Sequence, residues 1–164
     1  MRIKAVLLDT SFFIRLLTDT DCYHKNAKEY YKYFLDNKIA IKCSTVSVAE
    51  YCVKGDYADL PLLQIQILPF NFHHAVKAGE MGNILFTARD KIQTPDRKII
   101  QNDIKLFAQA DVEPEIDAFV TSDRNSEKML NQIRVAMSIS FKIINIETPL
   151  NVFLGELPLT ISGK

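Results

Sequence analysis

The stretch Ile3-Lys4-Ala5-Val6-Leu7-Leu8-Asp9-Thr10-Ser11 decides how the rest of the chain is read. Ile3 to Leu8 is short, mostly apolar and ended by an acid, the pattern of a buried strand. Asp9-Thr10-Ser11 then offers helix-capping side chains just ahead of Phe12-Phe13-Ile14 and Leu16-Leu17. The alternation begun there continues along the chain. Asp21 opens a helix that runs to about Asp36 and is closed by Asn37. Ile39 to Cys43 is a second strand, and Ser44-Thr45 caps a helix that carries Glu50 and ends near Val53. Gly55 to Pro61 is a turn-rich break. Ile65 to Phe70 is the third strand, and a helical pattern follows through Ala88. Thr94-Pro95-Asp96 reads as a loop before a helix from about Arg97 to Gln109. Ile116 to Thr121, Ser126 to about Met137 and Phe141 to Ile146 complete the series as strand, helix and strand. Strands separated by helices of this length form βαβ units, with a mostly parallel sheet covered on both faces. The expectation is one three-layer α/β/α domain with a five-stranded sheet over residues 1–146. Residues 147–164 follow as a tail or docking arm.

Composition narrows the function. The 164 residues hold 20 Lys plus Arg and 20 Asp plus Glu, so the formal net charge is zero. Attachment to nucleic acid by bulk charge is thereby excluded, although a local basic face is not. The apolar run Ala5-Val6-Leu7-Leu8 is too short for a signal-peptide core or a membrane span. Three cysteines (Cys22, Cys43, Cys52) are an odd number without a CxxC pair, which suits reduced thiols in a cytoplasmic protein. With His24, His73 and His74 the only histidines, no zinc-ligand spacing exists. His73-His74 reads as a surface or helix-start pair.

The acids carry the chemistry. In an open parallel sheet, sites lie beyond the carboxyl ends of strands, where strand order reverses. Asp9 follows the first strand, and Asp123 follows the fourth in Phe119-Val120-Thr121-Ser122-Asp123. Taken singly, an aspartate at such a turn is an ordinary helix cap. Asp103 is less ordinary. It sits in mid-helix, where aspartate has poor propensity and nothing to cap, with Ile99, Leu106 and Ala110 at −4, +3 and +7 on its face. Glu50 shows a weaker version of this pattern, with Val46 at −4 and Val53 at +3. A carboxylate paired with a rim lysine is the plain reading of Glu50 alone. Gathered at one sheet edge, however, four carboxylates repel one another unless a cation lies between them. Oxygen-only ligands suit Mg²⁺ or Mn²⁺, and acidic metal pockets commonly serve phosphodiester hydrolysis.

Four stretches resemble the PIN-domain nucleases, and among them the toxin ribonucleases of VapC type. They are Leu7-Leu8-Asp9-Thr10-Ser11, Ser44-Thr45-Val46-Ser47-Val48-Ala49-Glu50-Tyr51, Asn102-Asp103 and Val120-Thr121-Ser122-Asp123-Arg124-Asn125. Their order and spacing match across most of the chain to Ile146. The helix at Asp103 departs from the common Ile-Ala-Ala continuation, reading Leu106-Phe107-Ala108. The resemblance implies a strand order of 3-2-1-4-5 and carries over an acidic quartet of Asp9, Glu50, Asp103 and Asp123. In that reading Asp9, Asp103 and Asp123 hold metal, Glu50 holds a second ion or orients the attacking water, and Ser11 and Thr121 order the water shell. It further implies an RNA substrate, an antitoxin partner and a homodimer.

Two basic features were candidates for RNA. Lys25, Lys28 and Lys32 share one helical face beside Tyr23, Tyr30, Tyr31 and Tyr33, an arrangement that suits phosphates and stacked bases. A solvated amphipathic helix with its aromatics turned to the core explains the same pattern. Arg89, Lys91, Arg97, Lys98 and Lys105 give a second, weaker excess. Two other functions compete with hydrolysis of RNA. An aspartate after the first strand also serves phosphatases and phospho-acceptor domains. The second aspartate of a haloacid-dehalogenase-like phosphatase is missing from Leu8-Asp9-Thr10-Ser11, and a phospho-acceptor leaves Glu50 and Asp103 unexplained. A binding module without turnover is the remaining rival.

Overall fold

A computed structural model describes residues 3–88 and 97–155, with side chains for 3–87 and 102–155. The elements in chain order are β1 (Ala5–Leu8), α1 (Thr10–Leu17), α2 (His24–Asp36), β2 (Ala40–Ser44) and α3 (Thr45–Tyr51). A 3₁₀ turn (Tyr57–Asp59), β3 (Gln66–Leu68), α4 (Phe72–Ala88) and α5 (Arg97–Val112) follow. The chain continues through β4 (Ala118–Thr121), α6 (Arg124–Ala136), β5 (Lys142–Asn145) and α7 (Leu150–Phe153).

The five strands form one sheet in the order β3-β2-β1-β4-β5, and every pairing is parallel. Leu8 stands opposite Cys43 on one side and Val120 on the other. Because side chains alternate across a strand, Val6 and Leu8 face one helical layer and Leu7 faces the other. Val6 and Leu8 join Phe12, Phe13, Tyr30 and Phe34 of α1 and α2. Leu7 joins Met81, Leu106, Phe107, Leu130 and Ile133 of α4, α5 and α6. Both cores are closed by aromatics, with Phe107 edge-on to Phe119 at 5.2 Å between centroids. The three-layer α/β/α domain and its strand order are as expected.

Several boundaries differ from the sequence reading. Asp21 does not open α2, which begins at His24. Its carboxylate instead accepts the Tyr23 amide and pairs with Arg15 in the preceding turn. The third strand keeps only Gln66–Leu68, since Pro69 cannot donate to a ladder. α6 begins two residues before Ser126 because Asp123 caps it. In the tail, α7 returns to α2, where Phe153 meets Tyr30 at 5.8 Å and the Tyr30 hydroxyl donates to the Thr148 carbonyl. His74 is no surface residue. It lies fully buried in the first turn of α4, accepting the Asn71 amide at Nδ1. Its Nε2 therefore carries the proton and donates to Glu113 at 3.0 Å.

The tyrosines of α2 answer the sequence question about that helix. Tyr30 is buried and Tyr31 and Tyr33 pack against the same core, while Lys25, Lys28 and Lys32 point to solvent. Tyr30 is thus not available for stacking bases, and the helix has the two faces of an amphipathic one. Arg89, Lys91 and the side chains of Arg97 and Lys98 lie outside the described residues. Among the described residues, no helix is long and apolar enough to cross a membrane.

Candidate active site

The order β3-β2-β1-β4-β5 reverses direction between β1 and β4, and the candidate residues gather beyond the carboxyl ends of those strands. Asp9 leaves β1 and caps α1, and its own amide donates to the Val120 carbonyl of β4. Its carboxylate is buried and held by three donors. Oδ1 accepts the Thr10 amide at 2.7 Å, and Oδ2 accepts the hydroxyls of Ser11 at 2.6 Å and Thr121 at 2.8 Å. Thr121 Oγ1 in turn accepts the Asp123 amide at 3.0 Å. One hydroxyl thus ties the two strand ends together. The roles expected of Ser11 and Thr121, in ordering a water shell, become in the structure direct bonds to Asp9.

Glu50 is brought in by the short helix α3. Thr10 Oγ1 donates to its Oε2 at 2.7 Å, and Asn102 Nδ2 donates to its Oε1 at 2.8 Å. Lys105 Nζ, 3.4 Å from Asn102 Oδ1, fixes which way that amide faces. Asp103 occupies the buried face of α5, as its spacing predicted, and accepts the Ser126 hydroxyl at 2.8 Å. Asp123 is partly exposed and caps α6 by accepting the Asn125 amide at 2.7 Å.

Electrostatics shows how close these groups are. Burial raises the Asp103 carboxyl to about 8, with the charges of Asp9, Asp123 and Glu50 pushing the same way and only Ser126 opposing. Asp9 is raised as well, chiefly by burial and further by Glu50, against its hydroxyl and amide donors. Among the described residues, none of these four carboxylates is ion-paired with a lysine, arginine or histidine. Uncompensated negative charge in a partly buried pocket is costly, and a divalent cation relieves it. The donors are all oxygen, which suits a hard ion in kind. Among the described residues, no three His, Cys, Asp or Glu side chains are arranged to hold a metal as they stand.

Sequence reasoning passed over Thr10, Asn102 and Ser126 as donors to the quartet. Thr10 was read as a helix cap, and its hydroxyl turns instead to Glu50 on another helix. Asn102 adjoins Asp103 and Ser126 lies three residues past Asp123, so proximity to the motif residues was the signal available.

No protein-family model matches the chain, and no curated protein matches it. Solved structures do. The chain superposes on VapBC2 from Rickettsia felis bound to a promoter DNA fragment, with a TM-score of 0.57 and 13% identity, covering 86% of this chain and 98% of that one. It has the VapC fold. DNA-bound VapBC from Salmonella typhimurium gives a TM-score of 0.52 at 13% identity, over 87% of this chain and 98% of that one. VapC20 of Mycobacterium tuberculosis, a toxin that cleaves the Sarcin-Ricin loop, gives 0.51 at 16% identity, over 75% and 93%. At these identities the likeness establishes the fold.

Proposed function

We propose that the protein is a metal-dependent endoribonuclease and acts as the toxin of a toxin–antitoxin pair. The observation that carries this reading is the gathering of four carboxylates from β1, α3, α5 and β4 without a cationic partner among the described residues. The fold shared with VapBC complexes and with an RNA-cleaving toxin supports it.

Asp9, Glu50, Asp103 and Asp123 would hold Mg²⁺ or Mn²⁺. Bound there, the ion lowers the pKa of water and neutralises charge on the scissile phosphate. The residues do the positioning. Thr10, Ser11 and Thr121 keep Asp9 in one orientation, so its ligand geometry is set before substrate arrives. Glu50, gripped at both oxygens by neutral donors, stands as an oriented acceptor for a proton of the attacking water. The water oxygen attacks phosphorus in line as the phosphorus–oxygen bond to the leaving ribose breaks. A small antitoxin covering the pocket would silence the enzyme, and a homodimer is part of the same proposal.

The test is cleavage of a labelled RNA pool with Mn²⁺, Mg²⁺ or chelator, comparing wild type with Asp9→Asn and Asp123→Asn. Metal-dependent cutting lost in both variants is the expected result. Cutting that survives chelation or both substitutions refutes the proposal.

A further inference from the structure

A pocket of four carboxylates must still admit a polyanion, which requires positive charge held close to it but not spent on it. Arg15 meets that requirement. It lies on α1 one turn beyond Ser11, on the helix that Asp9 caps. Its Nε donates to Ser122 Oγ at 3.3 Å, and Ser122 sits between Thr121 and Asp123. The Ser122 amide donates to Ser11 Oγ at 3.0 Å, which itself donates to Asp9. The guanidinium is therefore two side chains from the candidate metal ligands without pairing with any of them.

Its conformation is also fixed in advance. Nη1 pairs with Asp21, the guanidinium carbon stands 5.6 Å from the centroid of the Tyr23 ring, and Asp21 holds that turn by accepting the Tyr23 amide. Nε and Nη1 are thus both engaged in anchoring. Nη2 makes no hydrogen bond among the described residues, and 32% of the side chain is exposed. An anchored guanidinium that still presents the N–H groups of Nη2 is suited to a charge-assisted bond with a phosphate oxygen.

We propose that Arg15 is a substrate-binding residue whose Nη2 group holds an RNA phosphate neighbouring the one that is cut. This rests on the ribonuclease reading above. Lysine at the position would keep the charge but lose the planar spread of nitrogens by which one cation reaches Ser122, Asp21 and a phosphate together.

The experiment measures binding of a fluorescent single-stranded RNA to the Asp9→Asn protein over a series of salt concentrations, with and without Arg15→Gln. Cleavage kinetics of Arg15→Gln and Arg15→Lys with Asp9 intact accompany it. Loss of one phosphate contact makes the log–log salt dependence shallower by about 0.7, with KM raised ~10-fold and kcat little changed. Arg15→Lys retains the wild-type salt slope and shows a smaller rise in KM. Should Arg15→Gln lose its cooperative melting transition, Arg15→Lys carries the test by that KM rise. Asp21→Asn serves as the comparison, because it cuts the same anchor while leaving the cation. If Arg15 only staples α1 to the turn, Asp21→Asn and Arg15→Gln lose activity alike, in kcat as much as KM, and the proposal falls. Unchanged KM and salt slope in Arg15→Gln, beside a wild type that cuts RNA, also overturns it while leaving the nuclease reading intact. A wild type that neither binds nor cuts RNA removes both.

Discussion

Two buried polar clusters, one around Lys42 of β2 and one beyond the carboxyl ends of β1 and β4, handle charge in opposite ways. Near the far end of α5, Lys42 is 1% exposed and meets Glu115, while the fully buried His74 donates to Glu113. Burial lowers the Lys42 pKa, and the charge of Glu113 works against that shift. Gln109, from the same turn of α5, donates to the carbonyls of Leu68 and Pro69. The charges of Lys42 and Glu115 face each other and Glu113 has the His74 donor, while Gln109 Oε1 is left without a hydrogen-bond partner among the described residues. At the carboxyl edge of the sheet the reverse holds: among the described residues, Asp9, Glu50, Asp103 and Asp123 meet only neutral donors and one another. The compensated cluster is explained within the protein, whereas the acids at the strand crossover are where the proposed ion would sit.

The sharpest way to break this contrast is to remove a member of the uncompensated set. Asp9→Asn should abolish RNA cleavage, a fall of about 10²-fold or more given the several kcal/mol that metal-assisted charge stabilisation supplies. A residue that orients Asp9 without being one of the four acids should cost less. Thr121→Val leaves all four carboxylates in place and should reduce activity by ~10–100-fold, as measured from single-turnover cleavage.

Metal-free stability provides a third test. The Asp103 carboxyl has a pKa of about 8 in the fold against an ordinary value of 3.8. Below the lower value it is protonated in both folded and unfolded chains and carries no penalty. As pH rises between the two, the unfolded chain gives up a proton that the fold retains, so stability falls, and above about 8 the penalty is complete. Asp9, raised in the same direction, adds to the trend. In chelator, Asp103→Asn should melt at least ~3 °C above wild type at pH 8, with a flatter pH profile, and Mn²⁺ should stabilise wild type more than the variant. Equal melting curves for the two proteins would remove the argument from repulsion.

The smallest effect belongs to the compensated cluster. Lys42→Met replaces a buried charge with an apolar chain of similar volume, leaving Glu115 half in water. Stability should stay within ~1 kcal/mol of wild type or improve, and cleavage should not change. A large loss of activity would show that the two clusters are coupled across β2.

How far the sequence reached differs between these regions. Strand periodicity and the capped turns after β1 and β4 located Asp9 and Asp123, and the apolar spacing around Asp103 announced its burial. The strand order came from family resemblance, because spacing alone does not order parallel strands. Contacts between elements were not legible: Thr10 reaching Glu50 across 40 positions, or Ser126 reaching Asp103 across 23, depends on how helices pack. His74 and Lys42 failed for the complementary reason. Their partners Glu113 and Glu115 lie in a turn whose approach to β2 and α4 leaves no periodic trace. The bounds of α2 and α6 shifted because Asp21 and Asp123 were both plausible caps, and only the packed turn decides which one serves.

The bond from Thr121 to Asp9 spans 112 residues of chain. A ribosome that has just made Asp9 must add that whole length before the hydroxyl exists that orients its carboxylate. Each strand of the crossover is needed as well, since Asp9 also bonds to Val120 through its amide. No early fragment of the chain can assemble the pocket, however well its first helices form. The wiring therefore delays assembly of the acidic pocket until β4 has been made.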